Sequence, residues 1–173
     1  DRVGELYREL VKLDNELADQ LVAQPEFGRP GHILFLSQLP QYLLPKVIDR
    51  YVQEISDDAD YPWNNDVVFL IGESKRPEHR ELLRRQLDQF KIRGAVLVIL
   101  SQQPEGRDRD RFVEGLEESR VEVLTACLDA LTQLKPSQTA DEQLALLKAL
   151  RRLRSRFRII HYLKTKFRPN KMQ

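Results

Sequence analysis

Two short, uninterrupted apolar runs constrain the fold of this chain more than any other feature. They cover residues 67–71 and 95–100. Both runs are rich in β-branched residues and end at polar or turn-forming residues, a pattern typical of strands that are buried on both faces. An amphipathic segment lies between them and begins at Pro77, which fits the first turn of a helix. We therefore predict a β-α-β crossover within a covered sheet.

The rest of the middle region extends this α/β pattern. We predict further strands over residues 47–55 and 121–124. Further helices are predicted over residues 111–118 and 127–134. Residues 32–44 fit either a buried strand or two short helical pieces, and their spacing favours the helical pieces. We find no internal repeat and no low-complexity tract. The predicted buried face of the helix after Pro77 consists of Leu82, Leu83, Leu87 and Phe90.

Both ends of the chain have the periodicity of amphipathic helices outside this core. The predicted organisation is an N-terminal helix over residues 1–24, an α/β core over residues 30–134 and a basic helix over residues 141–173. In the N-terminal helix, the apolar residues at steps of three and four are Val3, Leu6, Leu10, Leu13, Leu17 and Leu21. In the basic helix, the corresponding stripe is Leu146, Leu150, Leu153, Phe157 and Ile160.

The charge of the chain is divided unevenly between its parts. The net charge is +1, and residues 141–173 contribute ten Lys or Arg against two acids, or +8, which leaves −7 for residues 1–140. Such a basic segment favours an anionic partner, and guanidinium groups match the geometry of phosphate. We therefore predict that DNA is a partner and that the phosphate backbone is bound by Arg151, Arg152, Arg154, Arg156, Arg158, Lys164 and Lys166.

Several classes of protein are excluded by composition. No apolar run approaches the roughly 20 residues that a membrane-spanning helix needs. The first residues show no basic region followed by an apolar one, so we do not expect export. A single cysteine, Cys127, excludes an internal disulfide framework and a cysteine-based zinc cluster, so we expect a cytoplasmic protein. Because the chain begins with Asp1 instead of Met, we expect a piece of a longer or processed polypeptide.

Carboxylates beside the first apolar run suggest a metal site. Glu73 and Lys75 follow that run, and alternate residues of a strand project to the same side. Three further acids, Asp57, Asp58 and Asp60, lie 13 to 16 residues before Glu73, at the end of the preceding predicted strand. Carboxylates from two neighbouring strands repel each other unless a divalent cation joins them, and Mg²⁺ prefers such oxygen ligands. A metal beside an ammonium group suits phosphodiester hydrolysis.

At these residues the chain resembles the PD-(D/E)xK nuclease superfamily. The pattern is an acid followed by acid-x-Lys on the next strand, here Asp60 followed by Glu73 and Lys75. Gln86 and Phe90 are similar to a Gln-x-x-x-Tyr element of several branches. Residues 35–44 look like a helix of the Shedu-like antiphage nucleases, and residues 121–125 look like their closing strand. The resemblance covers residues 30–134.

This resemblance implies a restriction-endonuclease-like mixed sheet flanked by helices and a metal-dependent DNA endonuclease, with a role in defence or DNA processing. Mg²⁺ or Mn²⁺ would be held by Asp58 or Asp60 together with Glu73, and which of the acids occupies the first position stays open. Lys75 would position the attacking water. Gln86 would support the site. The catalytic set is therefore Asp60, Glu73, Lys75 and Gln86.

A different class of function fits the same residues. Glu73 and Lys75 also fit an exposed strand end, the three aspartates fit a turn, and His79 fits an exposed position in the first turn of its helix. The alternative is a non-catalytic, doubly wound α/β interaction or oligomerisation domain. In that case the two terminal helices would mediate docking, and the apolar stripe of the basic helix would pack on a partner helix or on the N-terminal helix.

Overall fold

The regular structure of this chain is helical. The computed structural model describes residues 2–25, 27–135 and 139–166, and within those ranges there is no strand. The predicted α/β mixed sheet is therefore wrong. The α-helices of the described ranges are α1 (Arg2–Val22), α2 (Leu44–Asp57), α3 (Asn65–Gly72), α4 (Pro77–Arg84), α5 (Arg93–Ser101), α6 (Arg109–Gly115), α7 (Val121–Gln133) and α8 (Ala140–Lys166). Three 3-10 helices accompany them, at Pro30–Gln38, Gln41–Leu43 and Gly106–Asp108.

The first apolar run forms α3 because its N-terminus is capped. The side chain of Asn64 accepts a hydrogen bond from the backbone N–H of Val67 at 2.9 Å, which satisfies one of the free donors at a helix start. The buried residues of α3 are Val67, Val68, Leu70 and Ile71, whereas Phe69 is exposed. A strand would have placed residues 67, 69 and 71 on one face, so this burial follows the helical period.

The other segments that we predicted as strands are also helical in the structure. Residues 47–55 lie in α2, whose buried residues Val47, Ile48, Tyr51 and Ile55 are spaced by one, three and four. Residues 95–100 lie in α5, and residues 121–124 form the first turn of α7. Length and β-branched content cannot distinguish short apolar strands from short buried helices, and here burial on more than one side favoured helices.

A repeat becomes visible once the helices are known. α3, α5 and α7 begin at residues 65, 93 and 121, so that each starts 28 residues after the previous one. Positions equivalent by this spacing are buried in all three helices: Val67, Ala95 and Val123; Val68, Val96 and Leu124; Ile71, Ile99 and Cys127. A second helix follows each of them, namely α4, α6 and α8. Helix pairs at such a period are typical of helical repeat proteins. The second helices begin 12, 16 and 19 residues after the first ones, so the period belongs to the first helices alone, and the absence of a repeat in the sequence stays a prediction.

The chain divides into two compact units. Unit 1 comprises Asp1–Val96 and unit 2 comprises Leu97–Gln173, so the boundary falls inside α5. In unit 1, the loop before the first 3-10 helix is held by hydrogen bonds from α2 and from the loop that follows α2. Tyr61 donates a hydrogen bond to the carbonyl of Gly28 at 2.7 Å, and Tyr51 donates one to the carbonyl of Arg29 at 3.2 Å. Gly28 has φ of +120°, a conformation that side-chain-bearing residues rarely adopt.

Unit 2 is held by close helix packing and by one ion pair with little exposure. A Cβ at Gly115 of α6 would overlap the sulfur of Cys127 in α7 and touch Leu97 of α5, so these helices approach each other as only glycine permits. Arg109 Nη1 lies 2.7 Å from Glu142 Oε1, which joins α6 to α8. Arg109 also donates a hydrogen bond to the carbonyl of Lys135.

The predictions of helices are confirmed in part. The two terminal helices form, and residues 32–44 adopt two short helical pieces, as their spacing favoured. α4 begins at Pro77 as predicted but ends at Arg84, and Phe90 is 81% exposed, not buried. Among the residues that the structure describes, none of the helices is both long and apolar enough to cross a membrane.

Candidate functional site

The three aspartates proposed for the first acid position lie at the end of α2. Asp57 is the last residue of that helix, and Asp58 and Asp60 follow in an exposed turn. The backbone N–H of Asp60 donates to Asp58 Oδ1 at 2.9 Å, the geometry by which an aspartate stabilises a turn. This arrangement supports the turn-forming interpretation of these acids.

Glu73 and Lys75 follow a helix instead of a strand. The backbone N–H of Glu73 returns to the carbonyls of Phe69 and Leu70 at 3.2 Å, which ends α3. The side chains of Glu73 and Lys75 are both exposed. Because the strand on which their shared direction was predicted is absent at these residues, that argument for a convergent pair no longer holds.

The predicted catalytic residues are only partly brought together. Glu73 and Lys75 line one pocket of about 230 Å³, whereas Asp58 lines a different pocket beside Arg29 and Tyr61. Gln86 lies in the turn after α4, where it accepts a hydrogen bond from Gln89 Nε2 at 2.6 Å. Among the described residues, no group of three or more His, Cys, Asp or Glu side chains could hold a metal ion. Binding of Mg²⁺ or Mn²⁺ stays a prediction.

His79 is a polar residue of the pocket whose burial was not foreseen. It was predicted to be exposed, but it is 4% exposed, and its Nδ1 lies 2.8 Å from Ser74 Oγ. The sequence held a signal for this position, since His79 and the buried Leu83 are four residues apart and therefore share the inner face of α4. Ser74 Oγ also accepts a hydrogen bond from the backbone N–H of Arg76 at 3.2 Å.

The pocket around His79 is small, and an exposed ion pair lies at its rim. Arg76 at its rim pairs with Asp49 of α2 through two contacts of 2.6 and 3.3 Å. Both side chains of this pair are about half exposed, so the pair contributes little to stability. Small-molecule sites commonly occupy roughly 300–1,000 Å³. The pocket is smaller than that range, and the Ser74–His79 contact stabilises the turn between α3 and α4.

The predicted nucleic-acid-binding residues lie on α8. Within that helix eight Lys or Arg stand against Asp141 and Glu142, a net charge of +6. Arg151, Arg152 and Arg154 are exposed, and Arg152 also donates a hydrogen bond to the carbonyl of Glu117 at 3.1 Å. The side chains of the remaining predicted residues lie outside the described part of the structure: Arg156, Arg158, Lys164 and Lys166.

The outer face of α1 is a row of exposed leucines, which we call the α1 stripe: Leu6, Leu13, Leu17 and Leu21. These side chains are between 41% and 61% exposed. Among the α1 side chains that the structure describes, the buried ones are Ala18 and Val22. Asp19 fixes this inner face to α2 by accepting a hydrogen bond from Lys46 at 2.8 Å. That hydrogen bond lowers the pKa of Asp19 below its usual value.

A second row of exposed leucines lies on α8, and we call it the α8 stripe: Leu144, Leu147 and Leu150. These side chains are 52% to 55% exposed, while the inner face of α8 buries Glu142 and Ala149. Leu150 was predicted to share one apolar stripe with Leu146 and Leu153, but those two are half-buried whereas Leu150 is exposed. The predicted stripe members Phe157 and Ile160 carry side chains outside the described part of the structure.

Comparison with known proteins identifies no relative of this chain. No family model matches it, and neither does any curated protein or solved structure. The resemblance to the PD-(D/E)xK superfamily therefore stays a prediction based on short motifs.

Proposed function

We propose that this chain is a non-catalytic helical interaction module that docks partner helices through the α1 stripe and the α8 stripe. The observation that carries this proposal is the exposure of seven leucines on two helices, α1 and α8. Soluble domains rarely expose contiguous apolar rows unless another surface covers them. An amphipathic helix that presents leucines at steps of three and four is a common element of helix-mediated recognition.

Two further observations support a role without bond-breaking chemistry. Asp58 and Glu73, two of the acids proposed for a metal site, line separate pockets, and the pocket that contains both Glu73 and Lys75 is smaller than a typical small-molecule site. The Ser74–His79 pair is engaged in the turn between two helices, where Ser74 also accepts a backbone hydrogen bond.

A site-specific crosslinker tests the docking role. A photoreactive phenylalanine analogue at position 13 should give discrete protein adducts in the cells that make the protein. Adding Leu17→Gln, in the next turn of the same stripe, should abolish them. The same crosslinker at position 34 is the control, because Leu34 is 79% exposed but lies on neither stripe. Position 13 giving no adduct with any protein would contradict the proposal.

Nucleic-acid binding by α8 is a second candidate, favoured by the net charge of +6 on that helix. Lys and Arg contacts to phosphates release counterions, so DNA retention should weaken steeply as salt rises. Replacing Arg151 and Arg154 by Gln should reduce retention, whereas replacing Leu144 and Leu147 by Gln should not. Retention that is insensitive to salt and to the arginines would exclude this candidate.

Phosphodiester hydrolysis remains testable in a direct way. Under the interaction proposal, purified protein should leave plasmid DNA intact with Mg²⁺ and with Mn²⁺. Cleavage that Glu73→Gln and Lys75→Ala both remove would instead support the predicted nuclease. Cleavage that neither substitution changes would point to a contaminant.

A further inference from the structure

The charges beside the α1 stripe have one sign. Glu9, Asp14 and Glu16 are exposed and lie on either side of Leu13 in the helical repeat. The corresponding positions of two-stranded coiled coils carry charged residues that select the partner and its orientation. Two copies of α1 facing each other would bring these carboxylates together, so the α1 stripe disfavours pairing with itself.

The charges beside the α8 stripe are mostly of the opposite sign, with Asp141 near Leu144 as the exception. Lys148, Arg151 and Arg154 each lie four residues after one of the stripe leucines, Leu144, Leu147 and Leu150 respectively, and residues four apart are neighbours on a helix surface. All three cationic side chains are exposed. Two copies of α8 would oppose cations to cations, so the α8 stripe also disfavours pairing with itself.

We infer that the occupant of the α1 stripe is the α8 stripe of a second copy of this chain. This inference rests on the proposed docking function and names its partner. The leucines of both stripes supply the apolar contact, and the opposite charges at their borders select this pairing over the two symmetric ones. Such charges are at the surface, so the pairing weakens at high salt.

The pairing of two unlike surfaces permits more than one kind of assembly. Each copy carries one α1 stripe and one α8 stripe. Two copies that exchange both contacts form a closed dimer, whereas copies that contact each other head to tail form rings or open chains. We therefore expect the wild type to associate as the protein concentration rises.

A mixing experiment with two variants tests this inference. The first variant carries Leu13→Gln and Leu17→Gln, which leaves only the α8 stripe. The second carries Leu144→Gln and Leu147→Gln, which leaves only the α1 stripe. By sedimentation velocity on nucleic-acid-free protein, each variant alone should be monomeric. An equimolar mixture should form a 1:1 dimer that does not extend, because its two remaining stripes are the mutated ones.

The outcomes separate this inference from the docking function on which it rests. Self-association of the second variant alone would show an α1–α1 contact, and self-association of the first would show an α8–α8 contact. Either result overturns the inference but keeps the docking function. A wild-type chain that stays monomeric also overturns the inference, and the crosslinker at position 13 then decides whether the docking function survives. Assembly that nuclease treatment disperses would assign the contact to nucleic acid and overturn the inference.

Two controls protect this experiment from trivial failure. Leu34→Gln changes an exposed leucine outside both stripes and should leave the wild-type assembly unchanged. Cys127 is buried, so its reactivity toward a thiol reagent reports whether unit 2 is folded in each variant. A stripe variant whose Cys127 stays protected has lost its docking surface without unfolding unit 2.

Discussion

Two sets of leucines in this chain have opposite surroundings. Leu83, Leu97, Leu100 and Leu116 lie inside the helix pairs and have at most 1% of their surface exposed. The leucines of the α1 stripe and the α8 stripe have about half of theirs exposed. Both sets have the spacing of amphipathic helices. The difference teaches that periodicity identifies the apolar face of a helix but not what covers it.

The first prediction contrasts one leucine from each set within unit 1. Leu83→Ala leaves a cavity in a fully buried position and should lower the free energy of unfolding by about 3–4 kcal/mol. Leu17→Ala removes an exposed side chain from a helix, where alanine is well tolerated, and should change the free energy of unfolding by less than about 0.5 kcal/mol. Trp63, the only tryptophan of the chain, lies in unit 1 beside Tyr61 and reports the unfolding transition by its fluorescence. Equal losses from the two substitutions would refute the distinction between the sets.

The second prediction concerns the ion pair that joins α6 to α8. Glu142→Ala leaves Arg109, which is 18% exposed, without its carboxylate and should destabilise unit 2 by about 3 kcal/mol. The matched control is Glu114→Ala, which breaks the exposed Arg111–Glu114 pair and should cost less than about 1 kcal/mol. The labelling rate of Cys127 under native conditions measures the opening of unit 2. Equal acceleration by both substitutions would mean that the Arg109–Glu142 pair is no stronger than a surface pair.

The third prediction tests the close approach of helices inside unit 2. Gly115→Ala forces a methyl group against Cys127 and should cost about 2 kcal/mol of stability. Gly106→Ala serves as the control, because a Cβ there would meet nothing within 4 Å. Urea denaturation followed by circular dichroism compares the two. A Gly115→Ala protein as stable as wild type would show that these helices can separate.

The fourth prediction is a pH effect confined to unit 1. Burial raises the pKa of the Tyr51 and Tyr61 phenols well above the ordinary value near 10. The folded unit therefore keeps protons that the unfolded chain loses, so this stability is complete below pH 10 and declines as the pH rises above it. Replacing both tyrosines by Phe should lower the stability of unit 1 at pH 8 by about 1 kcal/mol per lost hydrogen bond. The same replacement should make the loss of stability above pH 10 smaller. Parallel pH curves for wild type and variant would contradict this assignment.

Sequence alone could locate helix ends better than it could assign the short apolar runs. Pro77 marked the start of α4 correctly, because a proline at this position loses no hydrogen bond. Asn64 marked the start of α3 equally well, but the β-branched residues after it favoured a strand. In α2, Val47, Ile48, Tyr51 and Ile55 have a helical spacing that β-forming side chains concealed.

The repeat and the site were harder to predict for different reasons. Positions 28 residues apart share few identities beyond single apolar residues, as in Ile71, Ile99 and Cys127, so sequence comparison does not reveal the period. The predicted metal site depended on two strands that place carboxylates side by side. Once those segments are helices, the distances between Asp60, Glu73 and Gln86 are set by helix packing, which single-sequence periodicity does not specify. The leucines of the α1 stripe all belong to the predicted stripe, whereas the α8 stripe shares only Leu150 with the predicted one. Whether another surface covers a stripe depends on tertiary structure, which periodicity does not specify.

The central claim is that the stripe leucines serve association and not folding. Its most direct test is the weight-average mass of wild type and of the Leu13→Gln, Leu17→Gln variant by sedimentation equilibrium, with Trp63 fluorescence recording unfolding on the same samples. We predict that the mass of the wild type rises with concentration and that the variant stays monomeric with an unchanged unfolding midpoint at low concentration. A variant that assembles like the wild type, or one that has lost its folded unit 1, would contradict the claim.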